Sequence, residues 1–361
     1  MGEEISDQVW QFPPERIAEM LRPSGIELPP DNAVASLSER LCSEPNLASI
    51  PSSRGERATY PGVAFFLNSC VGSCVEVIQE AGRNGTPRWF GGLQFVLWDR
   101  EMSDGVDGAE KLKPDLAGLN NPPPTLQDIK LYWNIPQEDD TNRRLLLPVE
   151  IKDVDADMMK QAATYARGLN SAVPFRTFEL VLSYNYVSDR FRFLIFHRGG
   201  LTCSTPIKLS STTKKSYSPP DCTDLVRMFM SILSWTKADD AGCPSFSNGK
   251  QLLLPHPLRP TTLTRFTTDV VLYQKPGVRS RNTWVARLKP HVGDAAKTVD
   301  LPSGESSNNN DQSSRPGPSR SNPRRKAASK YASVSNSARS SKEDTKTLKR
   351  KQPDETLDPG M

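Results

Sequence analysis

The sequence predicts an α/β protein of the α+β kind, with a mixed sheet flanked by helices and a disordered C-terminal tail. Three observations predict it. Apolar residues recur at helical spacing over Thr59–Gly82, short apolar runs typical of strands follow, and two further runs separated by a polar turn are typical of a hairpin. The predicted order is helix, strand, strand, strand, helix, strand, strand, which is not the βαβ repeat of a parallel sheet.

The N-terminal part of the chain is expected to form an arm and the first helix. Residues 1–58 are rich in Pro and Ser, with one short helical stretch at Pro14–Arg22, so we expect a partly disordered arm that packs on the body. In Thr59–Gly82 a Thr and a Pro open the apolar pattern and Gly82 closes it, which predicts a helix of about 20 residues.

The middle of the chain predicts three strands, an insert and a second helix. The insert, residues 120–144, is too polar and Pro-rich to be core, although it may place an aromatic patch on the body. The helix begins near Asp155, which we expect to cap it. The three predicted strands are Leu93–Arg100, Lys111–Leu119 and Leu145–Lys152.

The remainder predicts a hairpin, a third long helix and a last strand pair. The α/β domain is expected to span residues 59–240 and to be followed by an extension over 241–300. These elements are the hairpin Thr177–Tyr184 and Phe191–Arg198, the helix Thr223–Thr236, and the strands Asp269–Lys275 and Asn282–Lys289.

The C-terminal tail carries the positive charge of the protein. Residues 301–361 contain 13 Ser and one aromatic residue, too few apolar groups to offset the chain entropy, so we expect disorder. The tail has 12 Lys and Arg against 7 Asp and Glu, a net charge of +5, and the whole chain has +4. Residues 1–300 therefore carry −1. Contacts with DNA or RNA would come partly through the tail, which also holds a candidate nuclear-import signal.

Cysteine usage and hydropathy indicate the compartment. The six Cys lie in apolar or neutral surroundings, Cys70 and Cys74 have no His nearby, and the three His are far apart in the sequence. This predicts reduced buried thiols and no zinc site. The first ten residues are acidic and lack the apolar core of a signal peptide, and no run approaches the 18 or so apolar residues of a membrane span. We expect a nuclear or cytoplasmic protein without a membrane partner.

Asp115, Glu150 and Lys152 form the candidate site. They fall near the ends of two consecutive predicted strands, and Glu150 and Lys152 point to the same face because they are two residues apart. If the strands are neighbours, Asp115 and Glu150 can bind Mg²⁺, which prefers such a pair of oxygen ligands with waters. Lys152 would then hold a water or stabilise developing charge.

Gln161 and Tyr165 extend this site. They share one face of the second predicted helix at i, i+4 spacing and could lie over the same cleft to contact a phosphate.

These residues resemble a known superfamily. Pro114-Asp115, Glu150-Ile151-Lys152 and Gln161-x-x-x-Tyr165 look like the PD-(D/E)xK restriction-endonuclease-like pattern, in its variant with a Gln-x-x-x-Tyr helix. The resemblance implies a restriction-endonuclease-like core and Mg²⁺-dependent phosphodiester cleavage, with Asp115 and Glu150 as metal ligands and Lys152, Gln161 and Tyr165 in catalysis. It also implies an added carboxylate from the first helix, for which Glu76 or Glu56 is a candidate.

A second resemblance covers about half of the chain, Pro114–Lys289. This region looks like the part upstream of the kinase in fungal-type protein kinase domain proteins, and Val270–Pro290 in the 241–300 extension resembles the start of a kinase small lobe. No H-R-D or D-F-G motif follows, so we expect no kinase activity, and the resemblance of Lys289 to the phosphate-pairing Lys lacks an acidic helix partner.

Two alternatives remain open beside the nuclease. One is a non-catalytic module that binds a protein partner, a pseudokinase-type fragment in which Glu150 and Lys152 form a partly exposed ion pair. The other is a nucleic-acid binder that acts through its tail without chemistry.

Overall fold

The computed structural model describes residues that all lie in one compact unit, Met1–Ser303. The described residues are 8–42, 50, 55–80, 89–104, 112–133, 141–209, 211–213, 216–218, 221–247, 251–256, 259–274, 284–290 and 299–300. The predicted disordered tail, 301–361, lies outside them.

Five α-helices are present in the described residues. They are α1 (Pro14–Leu21), α2 (Asp31–Cys42), α3 (Glu56–Glu80), α4 (Asp155–Ala172) and α5 (Thr223–Leu233).

The part of the chain that the structure describes contains sixteen strands, of which eight form the main sheet. The strands of the main sheet are β1 (Val9–Phe12), β2 (Leu93–Leu97), β3 (Leu116–Asn120), β6 (Leu147–Lys152), β7 (Phe178–Asn185), β8 (Arg190–His197), β9 (Gly200–Ser204) and β10 (Ile207–Lys208). The others are β4 (Lys130–Tyr132), β5 (Asn142–Arg144), β11 (Ser211–Thr213), β12 (Ser216–Ser218), β13 (Gln251–His256), β14 (Arg259–Gln274), β15 (Trp284–Pro290) and β16 (Val299–Asp300).

The main sheet is mixed, as predicted. Its order is β1-β9-β8-β7-β6-β3-β2, with β10 paired to β8. The β6–β7 and β1–β9 pairs are parallel and the others are antiparallel. The parallel β6–β7 step needs a crossover, which α4 supplies.

Alternation along the strands divides the core between the two faces of this sheet. Val149 and Ile151 of β6 pack in a core cluster with residues of α1, α2, α3 and α5. A second cluster on the other side contains Ala162 and Tyr165 of α4. Side chains on a strand point alternately to the two faces, so Glu150 lies between two residues that face the first cluster and points to the α4 side.

The strongly periodic elements were predicted correctly. Helix α3 begins three residues before the predicted start at Thr59, and the predicted hairpin is the antiparallel pair β7–β8. Helix α5 and the last strand pair, β14–β15, are also confirmed. Helix α2, within the expected arm, was not predicted.

The predicted cap of α4 is wrong. The N-cap residue is Val154, which makes no side-chain cap hydrogen bond. The Asp155 carboxylate instead accepts hydrogen bonds from Asn185 Nδ2 at 2.7 Å and Arg192 Nη2 at 2.9 Å. Asp155 therefore joins α4 to β7 and β8.

The segment predicted as a polar insert contributes to the core. Ile129, Leu131 and Trp133 are buried in the second cluster, and the Trp133 ring lies against Gly168 of α4. The prediction that residues 120–144 are too polar to be core is wrong for this stretch, because three apolar side chains among the polar ones cover α4.

Helix α3 also has the composition of a membrane span. By average hydropathy, Glu56–Gln79 is long and apolar enough to cross a membrane, with a mean hydropathy of 1.5. Half of the stretch is buried inside the protein, and the core helix of a globular fold passes the same test.

Candidate metal-dependent active site

The pairing of β3 with β6 brings Asp115 beside Glu150. The two strands are antiparallel with Leu116 opposite Val149, so the next pair along the ladder is Asp115 and Glu150. Asp115 Oδ2 accepts a hydrogen bond from the Ile151 backbone N–H at 2.8 Å. The side chain therefore continues the ladder beyond the end of β3, which fixes the position of its carboxylate.

The Glu150 carboxylate is wholly buried. Its side chain is 0% exposed, and its Oε2 lies 2.7 Å from the Tyr165 hydroxyl. Oε1 lies 3.3 Å from Lys152 Nζ but has no hydrogen-bond partner of good geometry. Burial, and then the nearby charge of Asp115, raises the pKa of Glu150 to about 8.

Lys152 is the cation of the site. Its Nζ donates to Glu56 Oε1 at 2.6 Å, and its side chain is 20% exposed. Burial alone would lower the pKa of Lys152, but the hydrogen bond to Glu56 and the charge of Glu150 outweigh it and raise that pKa above its usual value. The ammonium therefore stays charged at neutral pH and acts as an electrostatic group.

Tyr60 connects the acidic residues of α3 and β3. Its hydroxyl lies 2.5 Å from Asp115 Oδ1 and 2.8 Å from Glu56 Oε1. Burial, opposed by hydrogen bonds from Tyr60 and Ile151, raises the pKa of Asp115. Sequence reasoning missed Tyr60. The available signal was Glu56-x-x-x-Tyr60, which is helical spacing on one face of α3.

Tyr165 and Gln161 lie on the α4 side of Glu150. Tyr165 is fully buried, and its hydroxyl lies 2.8 Å from the Lys113 carbonyl and accepts a hydrogen bond from Gln161 Nε2 at 3.0 Å. Burial raises the pKa of Tyr165 well above its usual value, so it remains a phenol. Through these contacts Tyr165 and Gln161 position Glu150.

The Tyr165 hydroxyl lies between two acceptors, Glu150 Oε2 and the Lys113 carbonyl. A phenol has one proton, and both the Glu150 carboxylate and the Lys113 carbonyl are acceptors. If Glu150 carries a proton, it donates to Tyr165, and Tyr165 donates to Lys113. This arrangement gives each of these two contacts one proton and agrees with the raised pKa of Glu150, while Glu150 Oε1 still has no hydrogen-bond partner.

One feature of this arrangement, the unpartnered Glu150 Oε1, would fit a divalent cation held by two carboxylates and water. The buried Glu150 Oε1 has no hydrogen-bond donor, and the charge of Asp115 raises the pKa of Glu150. A cation between them would remove that repulsion, and Mg²⁺ is usually bound through one or two carboxylates and several waters. Among the residues that the structure describes, no group of three or more His, Cys, Asp or Glu is arranged as a metal site.

Of the two candidates for an added carboxylate, α3 brings Glu56 to the site. Glu56 contacts Lys152 and Tyr60, whereas Glu76 lies about five and a half turns further along α3 and pairs with Arg40 at the surface. The expected Glu150–Lys152 ion pair is present at 3.3 Å, with Lys152 20% exposed and Glu150 wholly buried.

The region that resembles a kinase small lobe forms an exposed hairpin. Lys289 of β15 lies 3.4 Å from Asp269 of β14, which also accepts a hydrogen bond from Arg287 at 2.6 Å. These are cross-strand pairs at the surface. The loop Gly277–Thr283 lies outside the described residues.

Comparisons with family models and with curated proteins found no relative. No family model matches the chain, and no curated protein matches it significantly. A function therefore has to be argued from the site itself.

Proposed function

We propose that Asp115, Glu150 and Lys152 form a magnesium-dependent site for phosphodiester cleavage of nucleic acid. The proposal places the chain in a nuclease-like module of the fungal-type protein kinase domain family, with a PD-(D/E)xK core and without the H-R-D and D-F-G motifs of a kinase. The helix–strand–strand–strand–helix–strand order of α3, β2, β3, β6, α4 and β7 supports this placement.

One observation carries the proposal. The antiparallel register of β3 and β6 sets Asp115 opposite Glu150 at one end of the sheet, and Lys152 lies within 3.3 Å of Glu150 on the same strand. Two acids and a permanently charged amine thus meet where the sequence pattern predicts them. Burial raises the pKa of both acids, the charge of Asp115 raises that of Glu150 further, and buried acids with raised pKa values are common in functional sites.

Each site residue would have its own role in phosphodiester cleavage. Asp115 and Glu150 would hold Mg²⁺, which supplies Lewis-acid polarisation of the phosphodiester and a lower pKa for a bound water. Lys152 lies near enough to stabilise negative charge that develops on the phosphate. Tyr60 positions Asp115, and Tyr165 with Gln161 positions Glu150.

A substrate would reach this site from the side of α3 and Lys152. Lys152 is 20% exposed and Glu56 32% exposed, whereas Asp115 and Glu150 are almost wholly covered. Residues 1–300 carry a net charge of −1, so affinity for DNA or RNA would depend on the basic tail. Binding should therefore weaken steeply with added salt.

The test is a cleavage assay on the full chain. Single- and double-stranded DNA and RNA are incubated with Mg²⁺, Mn²⁺ or EDTA, using the wild type, Asp115→Ala and Lys152→Ala. Asp157→Ala is the matched control, because Asp157 lies exposed on α4 and pairs only with Lys160 in a weak surface contact. We expect metal-dependent cleavage by the wild type and Asp157→Ala, and a loss of at least about 100-fold in the two site variants. Equal cleavage by all four proteins would mean a contaminating nuclease and would contradict the proposal.

A second candidate is a non-catalytic member of the same fold that binds a protein partner. The observation that favours it is burial: Asp115 accepts hydrogen bonds on both oxygens, and Glu150 is covered by α4. Here the network would hold β3, β6 and the two helices together. No cleavage by the wild type, combined with a loss of stability in Asp115→Ala, would support this candidate.

A further inference from the structure

Cys42 and Cys222 bring their sulfur atoms into contact across two helices. Cys42 is the last residue of α2, and Cys222 immediately precedes α5. Their Sγ atoms lie 3.0 Å apart, although the residues are 180 positions apart in the sequence. A disulfide bond is about 2.05 Å long, so the two sulfurs need to approach by only about 1 Å.

The backbone around the pair is held in place by hydrogen bonds. The Cys222 N–H donates to Ser38 Oγ at 2.9 Å, and Ser38 Oγ donates to Asp221 Oδ1 at 3.2 Å. Further along the same two helices, Arg227 Nη2 donates to Asp31 Oδ1 at 3.3 Å. These contacts hold the two helix ends together and keep the sulfurs next to each other.

We propose that Cys42 and Cys222 are a site of reversible oxidation, at which hydrogen peroxide converts the two thiols to a disulfide. The Cys42 thiolate attacks one peroxide oxygen, forms a sulfenic acid and releases hydroxide, which takes a proton to become water. The Cys222 sulfur then attacks the Cys42 sulfur, the S–S bond forms, and the sulfenic oxygen leaves as a second water. Two thiols and one peroxide yield one disulfide and two waters, with two electrons passing from sulfur to peroxide.

The surroundings select this pair from the six cysteines. All six are free thiols, and Cys42 is half-buried while the other five are buried. A small oxidant therefore reaches Cys42 first. The Cys42 thiol donates a hydrogen bond to Cys222 Sγ, so the two sulfur atoms already face each other. Cys42 is thus the attacking sulfur and Cys222 the resolving one.

The disulfide would fasten the N-terminal helices to the body. It closes a loop of 180 residues, and a crosslink over so long a loop removes much of the freedom of the unfolded chain. Oxidation should therefore raise the Tm by several degrees.

The test is to treat the full chain with hydrogen peroxide, block the remaining thiols, and map the linked peptides by mass spectrometry without reduction. We expect a Cys42–Cys222 crosslink, the loss of two of the six free thiols, a higher Tm, and reversal of all three by a dithiol reductant. Cys42→Ser should form no crosslink. Cys74→Ala, which removes a buried thiol of α3 that lies outside the pair, should form it as the wild type does.

Two results would overturn the proposal, and both are read from the wild type alone. One is oxidation of Cys42 to a sulfinic acid with Cys222 still a free thiol. The other is a crosslink between any other two cysteines with none between Cys42 and Cys222.

Discussion

Replacing Glu150 with glutamine should make the protein more stable at alkaline pH and should remove part of its dependence on pH. The folded protein holds the pKa of Glu150 at about 8, whereas its usual value is 4.5. Because the folded-state pKa is raised, the favourable contribution of the protonated acid is complete below the usual pKa and is lost as pH rises through the folded one. Glutamine keeps the shape and the contact with Tyr165 but cannot ionise.

The size of the effect follows from these two pKa values. Each pKa unit corresponds to about 1.4 kcal/mol, so ionising Glu150 in the folded state costs at most about 5 kcal/mol. Water entry and local relaxation will reduce the measured figure. Across the range from about pH 5 to about pH 9, the stability of the wild type should fall by this amount relative to Glu150→Gln.

Urea denaturation at several pH values, in buffer free of divalent cations, measures this difference. Glu179→Gln is a matched control, because Glu179 is also buried, its pKa is raised to about 8 by burial, and it pairs with Arg176 at 2.9 Å away from the site. Added Mg²⁺ should restore the alkaline stability of the wild type and of Glu179→Gln, but should have no effect on Glu150→Gln. Identical pH dependence in the wild type and Glu150→Gln would refute the reasoning.

Two further substitutions test the surroundings of the site and of the core. Tyr60→Phe leaves Asp115 Oδ1 buried without its hydrogen-bond donor, which should lower the free energy of unfolding by about 1–3 kcal/mol. Urea denaturation at neutral pH measures this loss. An unchanged denaturation midpoint would contradict the role given to Tyr60. Trp133→Ala opens a cavity against Gly168 and should lower the free energy of unfolding by about 3–5 kcal/mol in the same assay. Trp10 is an exposed side chain, so Trp10→Ala should lower it clearly less. Equal losses for the two Trp variants would mean that Trp133 does not contribute to the core.

The sequence was informative where one local pattern determines an element. Three elements could be predicted from the sequence because each reflects the burial of a single face. They are helix α3 with its apolar spacing, strand β6 with its buried run, and the β7–β8 hairpin. The meeting of Asp115 with Glu150 followed from the order of consecutive strands, since neighbours in sequence commonly pair.

The remaining features depend on contacts between distant residues. The parallel pairing of β1 with β9 joins residues almost 200 positions apart, and no local pattern in the sequence predicts this pairing. Trp133 was assigned to a polar insert because its burial depends on the small Gly168 on a helix that comes later in the chain. Tyr60 was missed because its role depends on Asp115, which arrives from another element.

Calorimetric titration of the full chain with Mg²⁺, and separately with Mn²⁺, tests most directly whether Asp115 and Glu150 hold a cation. We expect binding to one site in the wild type and in Asp157→Ala, and loss of that binding in Asp115→Ala and Glu150→Gln. No binding to the wild type, or the same binding in all four proteins, would contradict a cation site at Asp115 and Glu150.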